Sequence, residues 1–130
     1  MIDISTLTIG SHVLFNGERV RITVIDESGF IPFVKTDVNH YSWLQPKELD
    51  PIPITDELLL ELGFRCKYSS FYKDLNSNLC LSYNSYKAFI VWEVRNGEFI
   101  NDLSSMENLC YLHELEAFVY LTTKLKLIEK

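Results

Sequence analysis

The residues best suited to acid–base or metal chemistry stand together near the C-terminal end, in the run CYLHELEAF from Cys110 to Phe118. It sets His113 beside Glu114 and Glu116 in a segment whose apolar spacing is helical. A zinc-protease helix of the H-E-x-x-H type needs a second histidine four residues on, so that both imidazoles share a face. That position holds Ala117, and no other histidine is near in sequence. Glu114 and Glu116 point about 200° apart around a helix and do not converge as an acid–base pair. Only a long-range contact with His12 or His40 would complete a metal site. The run therefore reads as an amphipathic helix, with His113 packed at a sheet–helix seam and hydrogen-bonded to a backbone group.

Other reactive groups lack a catalytic setting. There is no G-x-S-x-G elbow, and Cys66, Cys80 and Cys110 sit in no recognisable nucleophile context. They read as small buried hydrophobes. The five glycines form neither a G-x-x-x-x-G-K loop nor a G-x-G-x-x-G turn, so no phosphate cradle is expected. Asp26-Glu27 and Asp56-Glu57 are neighbours at element ends, where a turn and a helix N-terminus account for them. The sequence assigns no catalytic residue, no metal site and no cofactor.

The aromatic clusters carry more. NHYSW, Asn39 to Trp43, and YNSYKAFIVW, Tyr83 to Trp92, bring Tyr, Trp, Lys and Asn close together. Such rings are enriched at interfaces and in base-stacking sites. In KAFIVWEVR, Lys87, Phe89, Val91, Glu93 and Arg95 share one strand face, and Ala88, Ile90, Trp92 and Val94 share the other. The second face is wholly apolar and is expected in a core or an interface. The bland reading is a two-sided sheet between other layers. The functional readings are a protein-binding or homo-oligomer surface, or a nucleotide stacked on Tyr83, Tyr86 or Tyr41 with Lys87 or Arg95 at its phosphate. Candidate binding residues are thus Tyr41, Trp43, Tyr83, Tyr86, Lys87, Arg95 and His113.

These side chains must be positioned by a chain of 130 residues with 47% hydrophobic and 13% aromatic content, enough for a core of mainly β-structure. Its formal net charge of -6 scatters twelve basic among eighteen acidic residues, which argues against nucleic-acid binding. An odd set of three separated cysteines suggests reduced thiols and a cytoplasmic setting. No signal-peptide pattern and no long apolar run is present, so no membrane partner is expected.

The first third reads as short strands. Asn16-Gly17 favours a type I′ hairpin turn, Val20, Ile22 and Val24 alternate with polar residues, FIPFVK gives a third strand and HYSWL a fourth. Pro46, Pro51 and Pro53 mark an extended connector. Thr55 is a fitting N-cap for the helix DELLLELGF, which Gly63 ends. FRCKYSSFYK, LCLSY and KAFIVWEVR then form a meander, with Asn96-Gly97 leading into a short strand at Phe99-Ile100. Ser104 and Glu107 offer a capping box for a final helix ending near Thr122-Thr123, and KLKLI alternates as a last strand. The expectation is an α+β protein. An N-terminal SH3-like small β-barrel or curled sheet over 1–50 is followed by a short bridging helix and an antiparallel β-meander packed by a C-terminal helix over 51–130, the two sharing one core.

The residues Ile9, Gly10, Val13 and Gly17, then Pro51 to Phe64, then His113, Leu115, Leu121, Thr122 and Leu125 trace a recurrent pattern. It runs IG-x-x-V-x-x-x-G, PI-x-L-T-x-E-x-L-x-x-L-G-F, and H-x-L-Q before L-T-x-x-x-L. On these positions the chain resembles a group of short proteins of anaerobic gut-type bacteria and their phages for which no activity is established. Glu116 stands where the pattern has Gln. The resemblance implies this architecture and a phage or mobile-element origin, and supplies no active site. The leading functional expectation is a non-catalytic binding protein that occupies a host protein surface. A homo-oligomer that sequesters a small nucleotide-like signal is the second reading, and a small hydrolase using His113 or His40 is the third.

Overall fold

In the computed structural model, residues 2, 4–38, 42–84 and 87–128 are described. Their contacts divide into two compact units, one built from Met1–Pro53 with Tyr111–Ala117, the other from Ile54–Cys110 with Phe118–Glu129. The chain is α+β, with antiparallel three- and five-stranded sheets. Among the described residues no helix is long and apolar enough to cross a membrane.

In the first unit β1 (His12–Phe15), β2 (Glu18–Asp26) and β3 (Phe33–Thr36) pair in sequence order. Asn16 and Gly17 both take positive φ, 52° and 81°, as a two-residue type I′ turn requires. Val13, Val20, Ile22, Val34, Leu44 and Leu49 form its buried cluster. The alternation fails at Val24, which is exposed, because the β2–β3 register shifts between Ile22 and Val24. The sheet is not a closed barrel. Expected as a fourth strand, HYSWL contributes only an isolated bridge from Leu44 to Val34, and its His40 and Tyr41 lie outside the described residues. Nor is the proline connector wholly extended. A single 3-10 turn, Pro46–Glu48, interrupts it, held by the Glu48 carboxylate accepting from the Gln45 N–H at 2.7 Å.

The second unit begins with α1 (Asp56–Glu61), capped as expected by the Thr55 hydroxyl accepting from the Leu58 N–H. Leu58 and Leu59 are its buried residues, and Gly63 exits at φ 94°. Five strands follow as a meander: β4 (Arg65–Lys67), β5 (Ser70–Asp74), β6 (Leu79–Tyr83), β7 (Ala88–Arg95) and β8 (Glu98–Glu107). Here two expectations are corrected. Ser104 to Glu107 is not a helix cap but the end of a ten-residue β8, paired to β7 through Phe89–Met106 and Ala88–Glu107. KLKLI forms no strand. Twelve residues, Leu112–Thr123, make up α2, whose true start is marked by the Tyr111 N–H donating to the Glu114 carboxylate at 3.1 Å. Its first half belongs to the first unit and its second half to the other.

Register fixes the faces of the large sheet. Phe71, Tyr83, Phe89 and Met106 form one row, and Lys73, Leu81, Val91 and Ser104 the next row of the same face. Arg65, Tyr72, Ser82, Ile90 and Ser105 form a row of the opposite face, followed by Asp74, Cys80, Trp92 and Asp102. The face of β7 expected in a core or an interface is buried at Ala88 and half-buried beyond it. Leu81, Phe89 and Val91 are fully buried, whereas Ile90, Trp92 and Val94 are only partly covered. The charges that coloured the first face sit towards the strand ends, where water reaches them.

Candidate functional site

The His113 run resolves into two roles on different faces of one helix. Glu114 caps the helix, while His113 and Glu116, three residues apart on one face, are both buried. Glu116 accepts from the backbone N–H of His12 at 2.7 Å and bonds its ring Nδ1 at 2.8 Å. A carboxylate offers only acceptors, which puts the His12 proton on Nδ1. The His113 Nε2 bonds the Thr6 hydroxyl at 3.0 Å, a side chain where a backbone group was expected. Its Nδ1 is buried with no partner among the described residues. A bare lone pair costs less to bury than an unpaired donor, so the proton belongs on Nε2. Burial holds His113 below the ordinary histidine range, and the Glu114 charge opposes that only in part.

The His12–Glu116 pair orients an imidazole as a general base is oriented, with His12 only 8% exposed. Among the described residues no group of three or more His, Cys, Asp or Glu is placed to hold a metal. The geometry is that of a polar clasp that fixes α2 on β1 and the N-terminal segment of its unit.

The described aromatic candidates are divided between the two units. Trp43 and His113 belong to the first unit, Tyr83, Lys87 and Arg95 to the second. Tyr41 and Tyr86 lie outside the described residues. Trp43 is partly exposed with the Lys35 ammonium 4.5 Å above its ring, a cation–π pair. Tyr83 stacks on Phe89 at 4.4 Å on the buried face of the sheet, where burial and the Asp56 charge push its phenol up. Arg95 lies six residues along β7 from Phe89, about 20 Å. One ligand therefore does not stack on Tyr83 and reach Arg95. Lys87 is nearer, exposed, and enters β7 at φ 60°.

Cysteine placement is split. No disulfide forms; Cys80 is buried, and burial first, with the Asp74 charge, pushes its thiol up to about 11. Cys66 and Cys110 are exposed, against the expectation that all three are core residues.

What the sequence reading missed is the loop between β2 and β3. Phe30 at its tip is wholly exposed and Ile31 beside it is 52% exposed. Asp26 braces the loop by accepting from both the N–H and the hydroxyl of Ser28, at 2.9 and 2.6 Å. FIPFVK reads as one apolar strand, and the one signal that separates the displayed Phe30 from the paired Phe33 is Pro32, which suggests an edge or a bulge. Compared with protein-family models, with curated proteins and with solved structures, the chain matches none.

Proposed function

We propose that this is a non-catalytic binding protein that acts by occupying a surface of another protein. The observation that carries the reading is Phe30, fully exposed on a braced loop with Ile31 at its side. The Phe30 ring packs against nothing in its own fold and about half of Ile31 is uncovered, so their exposed apolar area is available to a partner. Burial of each contributes about 1.5–3 kcal/mol, the scale of an interface anchor. An SH3-like curled sheet is the finer form of this reading for the first unit. It is supported by the β1–β2–β3 order and by bridges returning Asp50 to Leu14 and Leu44 to Val34. The sequence pattern supports a phage or mobile-element setting with a host protein as partner, in the cytoplasm. The test compares proteins cross-linked to the wild type with those cross-linked to a folded Phe30→Ser, Ile31→Ser variant. A partner lost by at least tenfold in the variant supports the reading, and an unchanged set overturns it.

A further inference from the structure

Among the described residues three two-residue hairpin turns are of the same kind, and one breaks the rule the others obey. Asn16-Gly17 joins β1 to β2 and Asn96-Gly97 joins β7 to β8, each with both residues at positive φ. These are the residue types that tolerate left-handed backbone. Between β4 and β5 the same turn is made by Tyr68 and Ser69, at φ 53° and 64°. A bulky residue held there costs about 1–2 kcal/mol. Packing does not compensate, because Tyr68 is 89% exposed. The Lys67 ammonium lies 5.4 Å from its ring centroid.

Tyr68 lines a groove of about 740 Å³ on the five-stranded sheet, together with Arg65, Lys67, Tyr72, Asp74 and Phe99. That volume lies within the roughly 300–1,000 Å³ of small-molecule sites. The aromatic floor is preorganised. Tyr72 lies 5.9 Å from Phe99, and Phe99 stacks on Trp92 at 5.3 Å with 15° between planes. The Trp92 indole N–H donates to the Ser82 hydroxyl at 2.9 Å, which fixes the indole. Phe99, at 44% exposed, leaves part of its ring uncovered. Two cations stand beside the floor. Arg65 lies 3.3 Å from Asp74 in an exposed pair that holds it weakly, and Lys67 sits against Tyr68.

We propose that this groove binds a planar aromatic anion of mononucleotide size, its ring stacked between Tyr68 and the Tyr72–Phe99 floor and its phosphate held by Lys67 and Arg65. Stacking reads any planar ring, so base preference is weak. Two cations suit one phosphate group and not a polyanion, which the net charge of -6 would repel. The site lies in the unit opposite to Phe30 in the division of the chain and stands or falls independently of the partner-binding reading.

Calorimetry on the full chain with each of the four nucleoside monophosphates, adenosine and inorganic phosphate tests it. The expected result is saturable binding of the monophosphates, at least tenfold weaker binding of adenosine and of phosphate alone, and a further tenfold loss in Lys67→Ala. The decisive variant is Tyr68→Asn with Ser69→Gly, which installs the turn used elsewhere in the chain. It is expected to raise the melting temperature and weaken nucleotide binding at least tenfold. Absence of binding at millimolar monophosphate overturns the proposal. So does phosphate alone binding as well as the nucleotide, or a stabilised turn variant that binds unchanged.

Discussion

The two units bury different chemistry. Of the six buried polar residues among those described, Ser11, His12, Thr36, His113 and Glu116 lie in the first unit and only Ser82 in the second. The first unit closes through bonds between residues 104 and 107 positions apart. The second is a meander in which every strand pairs with its neighbour in sequence. Apolar packing tolerates rearrangement as long as volume is kept, whereas a buried carboxylate accepting two bonds is satisfied in one arrangement. The first unit thus specifies which face of α2 docks, and the second relies on the extent of its core.

The largest effect should come from the apolar side of this contrast. Phe89→Ala removes a fully buried ring and should destabilise the protein by about 3–5 kcal/mol, read by urea titration. Next, Glu116→Ala strands the N–H and ring nitrogen of His12 and should cost roughly 2–4 kcal/mol, with faster amide exchange in β1. Glu116→Gln keeps an acceptor for the N–H and offers the ring a donor once His12 moves its proton from Nδ1 to Nε2, and the loss should stay under about 1 kcal/mol. Equal losses for Ala and Gln would show that the clasp is packing and not hydrogen bonding. The smallest effect is a pH dependence. His113 takes up its proton less readily when folded than at the unfolded value of 6.5, so the unfolded chain binds more protons just below that pH. Its contribution is full above pH 6.5 and declines as the pH falls through the window beneath it. Melting curves should show that slope, and His113→Asn should reduce it.

Local signals in the sequence were reliable where one residue type decides the backbone. Asn16-Gly17, Asn96-Gly97, Thr55 and Gly63 all do what their chemistry dictates. They misled where two local signals compete. Ser104 to Glu107 satisfies a helix cap on paper, but pairing with Ala88 to Val91 claims it for β8, and two extra residues, Ile100 and Leu103, are accommodated as bulges. Which β7 face is more deeply buried is set by the layers that cover the sheet, which no single-strand pattern contains. The groove was invisible for the same reason. Tyr72 and Phe99 meet only once β5 to β8 are in register, and the strain at Tyr68 exists only as a backbone angle.

One feature of the clasp acts before the protein is finished. His12 is synthesised 104 residues before its acceptor Glu116. At the usual elongation rate of about 5–20 residues per second, that interval is roughly 5–20 s. Over that time the nascent β1–β2–β3 sheet can form its hairpins but has no Glu116 to pair with the His12 N–H. The part of the chain made first is thus the part completed last.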